Sequence, residues 1–208
     1  MTVRGTLRLY PGRGEHPGVY ERFARRLAFG GYQLGDGDQA PLVLVGSDTG
    51  ALAALAAAPA LPVAGVIAVG TPWEPAPVAP VLRWADELEA RTACPAHRDR
   101  LEGDTGFARG ALSTPVPPEL AAAVDPVKIE VPVLLLHGAA DPVAPLAGAR
   151  ALAARLPRAE LVVVRDGRHD VLNDAPHRTV AAHVVQWLER LRADPAAAPI
   201  LALSTWTA

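Results

Sequence analysis

Thiols are nearly absent. Cys94 is the only cysteine in 208 residues, which excludes an internal disulfide and any multi-thiolate metal site. Charge of one sign is absent as well. A formal net charge of -2 leaves no concentrated basic face for nucleic-acid phosphates or for an electrostatic membrane anchor. Lys128 is the sole lysine among many arginines, and with the abundant Ala and Pro this reads as compositional bias rather than mechanism. Long apolar runs are missing too. Met1-Thr2-Val3-Arg4-Gly5 opens no stretch of signal-peptide length, and Pro41–Val45 and Val131–Leu136 are far too short to cross a bilayer. A reducing cytoplasm is the expected location, with neither nucleic acid nor membrane as a partner. What remains is 50% hydrophobic and 20% charged, the profile of one globular domain long enough to bury a core.

Short β-branched runs alternate with Ala/Leu-rich segments, which is the pattern of α/β architecture. Expected strands are Thr6–Tyr10, Leu42–Val45, Val63–Val69, Val133–Leu136 and Glu160–Val164. Most are continuously apolar, as strands of a parallel sheet covered on both faces should be. Expected helices are Gly18–Ala28, where Tyr20, Phe23 and Leu27 share a face, then Ala51–Ala58, Leu146–Arg155 and His177–Leu191. From about Thr71 to Lys128 the rhythm breaks into Pro- and Gly-rich loops around an expected helix, Val81–Ala90. That stretch reads either as a surface excursion or as a lid over a site. The expected organisation is one domain over residues 1–192, with 71–128 as a lid or cap insertion. Residues 193–208 would form an extension, of which Ile200–Leu203 and Trp206 could fold back onto the body.

Three motifs carry chemistry. Val45-Gly46-Ser47-Asp48-Thr49-Gly50 follows a strand and precedes an Ala-rich helix, so it reads as a nucleophile elbow. The turn is sharp enough to require flanking glycines, and its central side chain sits on a strained backbone at a helix N-terminus. The central residue is Asp48, and Ser47 lies one position early. Next, Val131-Pro132-Val133-Leu134-Leu135-Leu136-His137-Gly138-Ala139-Ala140-Asp141-Pro142 presents Asp141 at the C-terminal edge of a buried strand, where open α/β sheets build their sites. Asp166-Gly167-Arg168-His169-Asp170 then places His169 after another strand, completing the order nucleophile, acid, histidine.

With Gly12-Arg13-Gly14-Glu15-His16 and Tyr20–Ala28 on the first βα unit and Asn173 after the histidine, these residues resemble the α/β-hydrolase superfamily. The resemblance is nearest to the monoacylglycerol-lipase-like and lysophospholipase-like branch, and it covers most of the chain outside 71–128 and the tail. It implies a mostly parallel sheet of five or six strands with helices on both faces and a lid insertion, a small-molecule substrate and no cofactor. It makes His169 the catalytic base, Asp141 its orienting acid, and the backbone N–H groups of Thr49 and Arg13 the oxyanion hole. The chain departs from the pattern in three places. The nucleophile position is Asp48, the usual His-Gly before the oxyanion loop reads Pro11-Gly12, and only Gln33–Ala40 remains where a strand-loop-helix normally precedes the elbow. The fold expected is therefore a shortened one.

Asp48 leaves several chemistries open. The superfamily's epoxide hydrolases and haloalkane dehalogenases use a carboxylate here to attack carbon, forming an ester that His-activated water hydrolyses. Their leaving-group helpers are absent: the tyrosines are Tyr10, Tyr20 and Tyr32, all N-terminal, and Thr49 rather than Trp or Arg follows Asp48. Tyr10 is the substitute proton donor. On an ester or lactone, Asp48 with His169 would instead act as a base on water, because acyl transfer to a carboxylate gives a high-energy anhydride. Proton transfer at an activated carbon (an isomerase, cyclase or lyase, as in natural-product tailoring) and a non-catalytic binding role are the other readings.

Trp73, Trp84 and Phe107 are candidates to line an apolar pocket above Asp48, with core packing as the competing reading, and His16 is a candidate substrate contact. His137 reads as a structural histidine, and His177 and His183 as residues of the last helix. Cys94 and His97 make no metal site by themselves. Asp170 is a rival to Asp141. Gly12-x-Gly14-x-x-x-Gly18 superficially matches a dinucleotide loop but leaves Asp141 and His169 unexplained. Oligomeric state is not readable.

Overall fold

Continuous apolar runs between Gly and Pro breaks are satisfied only where helices cover both faces of a parallel sheet. The computed structural model, which describes residues 3–37, 40–73, 83–194 and 196, has that arrangement. Its strands are β1 Gly5–Tyr10, β2 Tyr32–Leu34, β3 Leu42–Ser47, β4 Gly65–Val69, β5 Val133–Gly138 and β6 Ala159–Val164. They form one six-stranded sheet in the order β2-β1-β3-β4-β5-β6, with every pairing parallel.

Side-chain alternation sorts the strands onto two layers. Val43, Val45, Ile67, Val69, Leu134 and Leu136 pack with Phe23 and Leu27 of α1 (Glu21–Phe29) and with Val184, Trp187 and Leu188 of α7 (His177–Ala193). Leu44, Val66, Ala68, Val133 and Leu135 face Leu52 and Leu55 of α2 (Thr49–Ala57) and Leu152 of α6 (Leu146–Arg155). The helix expected from Gly18 instead begins as a 3-10 turn, Pro17–Tyr20, which His16 caps by accepting from Gly18 N. The α-helix proper starts at Glu21.

The strand missing from the sequence reading is β2, and it resolves the apparent shortage of chain before the elbow. It is only three residues long and pairs its Leu34 with Leu7, while Leu42 of β3 pairs with Thr6 on the other side of β1. The return therefore needs to cross about 10 Å at nearly one level, which a few extended residues span without a helix. The connection passes over Thr6, because a Cβ on Gly37 would lie 3.1 Å from its hydroxyl.

The interval between β4 and β5 carries α3 (Trp84–Arg91), α4 (Pro95–Gly103) and α5 (Pro118–Ala122), the last two unexpected from the sequence. Of the expected Val81–Ala90 helix, Val81 and Leu82 lie outside the described residues. Leu88, Leu101 and Phe107 join the core shared with α1 and α7, so this interval is built into the body. The helix α7 continues to Ala193, and the expected fold-back of Ile200–Leu203 and Trp206 lies outside the described residues.

Candidate active site

The register brings the C-terminal ends of β3, β4, β5 and β6 to one edge, with Ser47 beside Val69, Val69 beside Leu136 and Gly138 beside Val164. Asp48, Asp141 and His169 follow three of these strands. Asp48 adopts φ 51 and ψ -124, a conformation that costs a side-chain-bearing residue about 1–3 kcal/mol. The elbow glycines are obligatory here. A Cβ on Gly46 would sit 2.2 Å from the Gly50 carbonyl, and one on Gly50 would sit 2.0 Å from that of Tyr10.

Asp141 is fixed first. Its Oδ1 accepts from the backbone N–H groups of Val143 (2.8 Å) and Ala144 (3.0 Å). Its Oδ2 lies 2.8 Å from His169 Nδ1, which therefore carries the shared proton. The His169 main chain is in turn tied to α3, with His169 N donating to Ala90 O and Asp170 N to Arg91 O. The imidazole then points Nε2 at Asp48 Oδ1, 3.4 Å away. That nitrogen is buried and makes no hydrogen bond of good geometry. Burial alone would lower the His169 pKa, but Asp141 and then Asp48 outweigh it and push it up to about 10. Burial works against Asp48 as well, yet His169 and Arg13 hold its carboxyl well below the usual carboxylate range.

The Arg13 side chain is the contact to Asp48 that the sequence did not disclose. Its backbone N–H donates to Asp48 Oδ2 at 3.0 Å. Its guanidinium adds Nε to Oδ2 at 2.7 Å and Nη2 to Oδ1 at 2.9 Å. One Asp48 oxygen thus occupies the position expected for an oxyanion, and the other faces His169. Nη1 donates to the carbonyl of Thr114 at 2.6 Å and approaches that of Leu112 at 3.5 Å, so Arg13 also straps this segment to the elbow. Gly12 and Gly14 serve close approach rather than a dinucleotide: a Cβ on Gly12 would lie 2.9 Å from Asp48 Cβ, and one on Gly14 would lie 2.5 Å from Ala108 O. Thr49 opens α2 directly after Asp48.

Behind the loop lies a buried polar network. Glu15 accepts from Gly12 N (2.9 Å), from the Tyr20 hydroxyl and from Arg91 Nη1 (3.1 Å). Arg91 also binds Glu87 and, through Nη2, the carbonyl of Arg13 at 2.8 Å. Burial, and then Asp170, push the Glu15 carboxyl up to about 7 against the pull of Arg91. Asp170, the rival acid, is taken by His97 Nε2 at 2.9 Å. His137 donates from Nε2 to Ala144 O at 2.7 Å.

The expected substrate contacts are divided rather than gathered. Tyr10 and Trp73 pack on the α2/α6 layer, and the Arg155 guanidinium lies 5.3 Å from the Trp73 ring centroid. Trp84 and Phe107 pack on the α1/α7 layer as a tilted pair with centroids 5.7 Å apart. His16 is engaged by Gly18 N and, at 3.0 Å, by Asp104. Among the described residues no group of His, Cys, Asp and Glu is arranged to hold a metal, and no helix is long and apolar enough to cross a membrane.

Solved structures superpose on this fold across most of the chain. A monoacylglycerol lipase of Paleococcus ferrophilus superposes with TM-score 0.75 at 20% identity, covering 92% of this chain and 96% of that one. The fold is the α/β-hydrolase fold. A soluble variant of monoglyceride lipase from Saccharomyces cerevisiae superposes at 0.70 with 16% identity, over 91% of this chain and 87% of its own. A putative non-heme bromoperoxidase of Mycobacterium tuberculosis superposes at 0.68 with 14% identity, over 92% and 94%. The family model described as TAP-like protein matches residues 108–198. No curated protein matches the sequence. Within this α/β-hydrolase fold the sheet has six strands, as the shortened reading expected, and all of them run parallel.

Proposed function

We propose that this chain is a hydrolase of the α/β-hydrolase fold that acts on a small, moderately apolar molecule through Asp48 as nucleophile and water activated by His169. Asp48 Oδ1 attacks a carbon of an epoxide, halide or comparable electrophile, the bond to the leaving group breaks, and an ester of Asp48 forms. A halide departs as the anion while the His169 imidazolium gives its proton to solvent, and an epoxide oxygen takes that proton instead. Water then attacks the ester carbonyl carbon while His169 Nε2 takes its proton. The tetrahedral intermediate collapses, releasing the alcohol with a proton returned from His169 and restoring the carboxylate. Asp141 holds the imidazole throughout, and Arg13 N and Thr49 N bind the ester carbonyl oxygen. The expected lid, 71–128, would act as a cap anchored in the core through Leu88, Leu101 and Phe107 and strapped to the elbow by Arg13 through Leu112 and Thr114.

The observation that carries this reading is the split of the Asp48 carboxylate, with Oδ2 on the Arg13 backbone N–H and Oδ1 facing His169 Nε2. It also gives the imidazole a consistent cycle. With both carboxylates ionised, His169 is an imidazolium. Once Asp48 is esterified one of those charges is gone, its pKa falls, and the neutral ring becomes the base that the water step needs. Proton transfer from carbon by Asp48 fits less well, since a carboxyl held below its ordinary range is a weak base. The burial of Asp48 against Arg13 favours the non-catalytic reading as the competitor. Intact-mass analysis of the His169→Gln variant after exposure to epoxides, alkyl halides and activated esters separates the two. A stable adduct mapped to Asp48, which turns over in the wild type, is the expected result. No adduct from any of these electrophiles counts against the nucleophile.

A further inference from the structure

An ionised carboxylate has about four in-plane sites for donors. In Asp48 they are all addressed: Oδ2 by Arg13 N and Nε, Oδ1 by Arg13 Nη2 and, more distantly, His169 Nε2. A lone pair engaged by a guanidinium is not available for attack on carbon, so something must take Arg13 away first. The backbone donor is fixed, because Arg91 Nη2 holds the Arg13 carbonyl. The Nε/Nη2 edge is the exchangeable contact, and Arg13 is the partner that reaches solvent, its side chain 11% exposed against 1% for Asp48.

That edge is a planar fork matched to two coplanar oxygens. A neutral ligand displacing Asp48 would leave a buried guanidinium unpaired, which is strongly unfavourable. A carboxylate replaces like with like. We infer, on the reading of Asp48 as nucleophile, that the substrate bears a carboxylate next to its reacting carbon, which takes the Nε/Nη2 edge of Arg13 and frees Asp48 Oδ1 for attack. Asp48 is not left uncompensated by the exchange, because the His169 imidazolium remains beside it. The Nη1 bonds to the carbonyls of Leu112 and Thr114 tether the guanidinium as its Nε/Nη2 edge turns off Asp48, so the incoming carboxylate stays beside the nucleophile.

Binding of propionate and of its neutral counterpart propionamide to the full chain, by calorimetry and by the His169 ring resonances, tests this without turnover. Propionate is expected to saturate a site and move the His169 signals, with propionamide at least tenfold weaker and Arg13→Met losing at least tenfold in propionate affinity. Propionamide binding as tightly as propionate, or wild type that leaves the His169 signals unmoved by propionate, overturns the inference even if Arg13→Met does not fold. Labelling by 2-chloropropionate and 2-chloropropionamide separates this inference from the mechanism. If the amide modifies Asp48 in His169→Gln as fast as the acid, the nucleophile stands and the carboxylate requirement falls. If propionate binds through Arg13 and neither reagent modifies Asp48, the carboxylate site stands and the nucleophile falls.

Discussion

Arg13 grips both carboxylate oxygens of Asp48, Nε to Oδ2 at 2.7 Å and Nη2 to Oδ1 at 2.9 Å, at the sharp turn between β3 and α2. The pair is buried, and breaking one half of a buried pair exposes the other to the full cost of desolvation. Arg13→Met is expected to lower stability by about 3 kcal/mol, and Arg13→Met/Asp48→Asn to recover most of that loss. Denaturant unfolding of both variants and of Asp48→Asn closes the cycle. Additive losses would mean the pair is not coupled.

His169 gives a pH signature. Its pKa is raised from 6.5 to about 10, so its ion pairs stabilise the fold fully below pH 6.5 and the contribution is lost as pH rises through about 10. NMR of the ring carbons should show an imidazolium at neutral pH in wild type. In Asp48→Asn the titration moves toward neutrality, since only Asp141 remains beside the ring. A wild-type ring titrating near 6.5 would contradict the charge arrangement described.

Glu15 behaves in the same sense over a lower window. Its carboxyl is raised from 4.5 to about 7, so the folded state favours the protonated form. The associated stability is present below pH 4.5 and is lost as pH rises through about 7. Glu15→Gln should therefore gain stability relative to wild type between pH 5 and pH 8 in parallel thermal melts. A difference that does not change with pH would argue against a perturbed Glu15.

The elbow geometry predicts its own intolerance. With backbone oxygens 2.2 and 2.0 Å from the added Cβ, Gly46→Ala and Gly50→Ala cannot be relieved by a rotamer change. Each should cost about 3 kcal/mol or prevent folding. Gly103→Ala, where nothing lies within 4 Å, is the control and should be nearly neutral.

How much of this was readable from the sequence follows from how local each signal is. The elbow was legible because its two glycines sit at fixed offsets around Asp48, Asp141 because it follows the continuously apolar β5, and His169 because it follows the apolar run Leu161–Val164. Their convergence at one sheet edge then follows from parallel register. β2 was not legible, because three residues, Tyr-Gln-Leu, are too short to show any period. The helices α4 and α5 were masked by the surrounding Pro and Gly. The Arg13 side chain and the Glu15–Arg91–Glu87 network could not be foreseen, since a charged residue in a loop or on a helix reads as solvated until its long-range partner is known. The placement of the aromatic trio was illegible for the complementary reason: Trp73, Trp84 and Phe107 are apolar wherever they lie, and the sheet divides them between its two faces.

The most direct test of Asp48 as a nucleophile is a single-turnover reaction in oxygen-18 water, with enzyme in excess over an electrophile such as 2-chloropropionate. Attack through an Asp48 ester delivers an ordinary Asp48 oxygen to the product and leaves one heavy oxygen in the peptide containing Asp48. That is the result expected. Heavy oxygen in the product with an unlabelled Asp48 peptide would mean that water attacks the substrate directly, and would contradict the account.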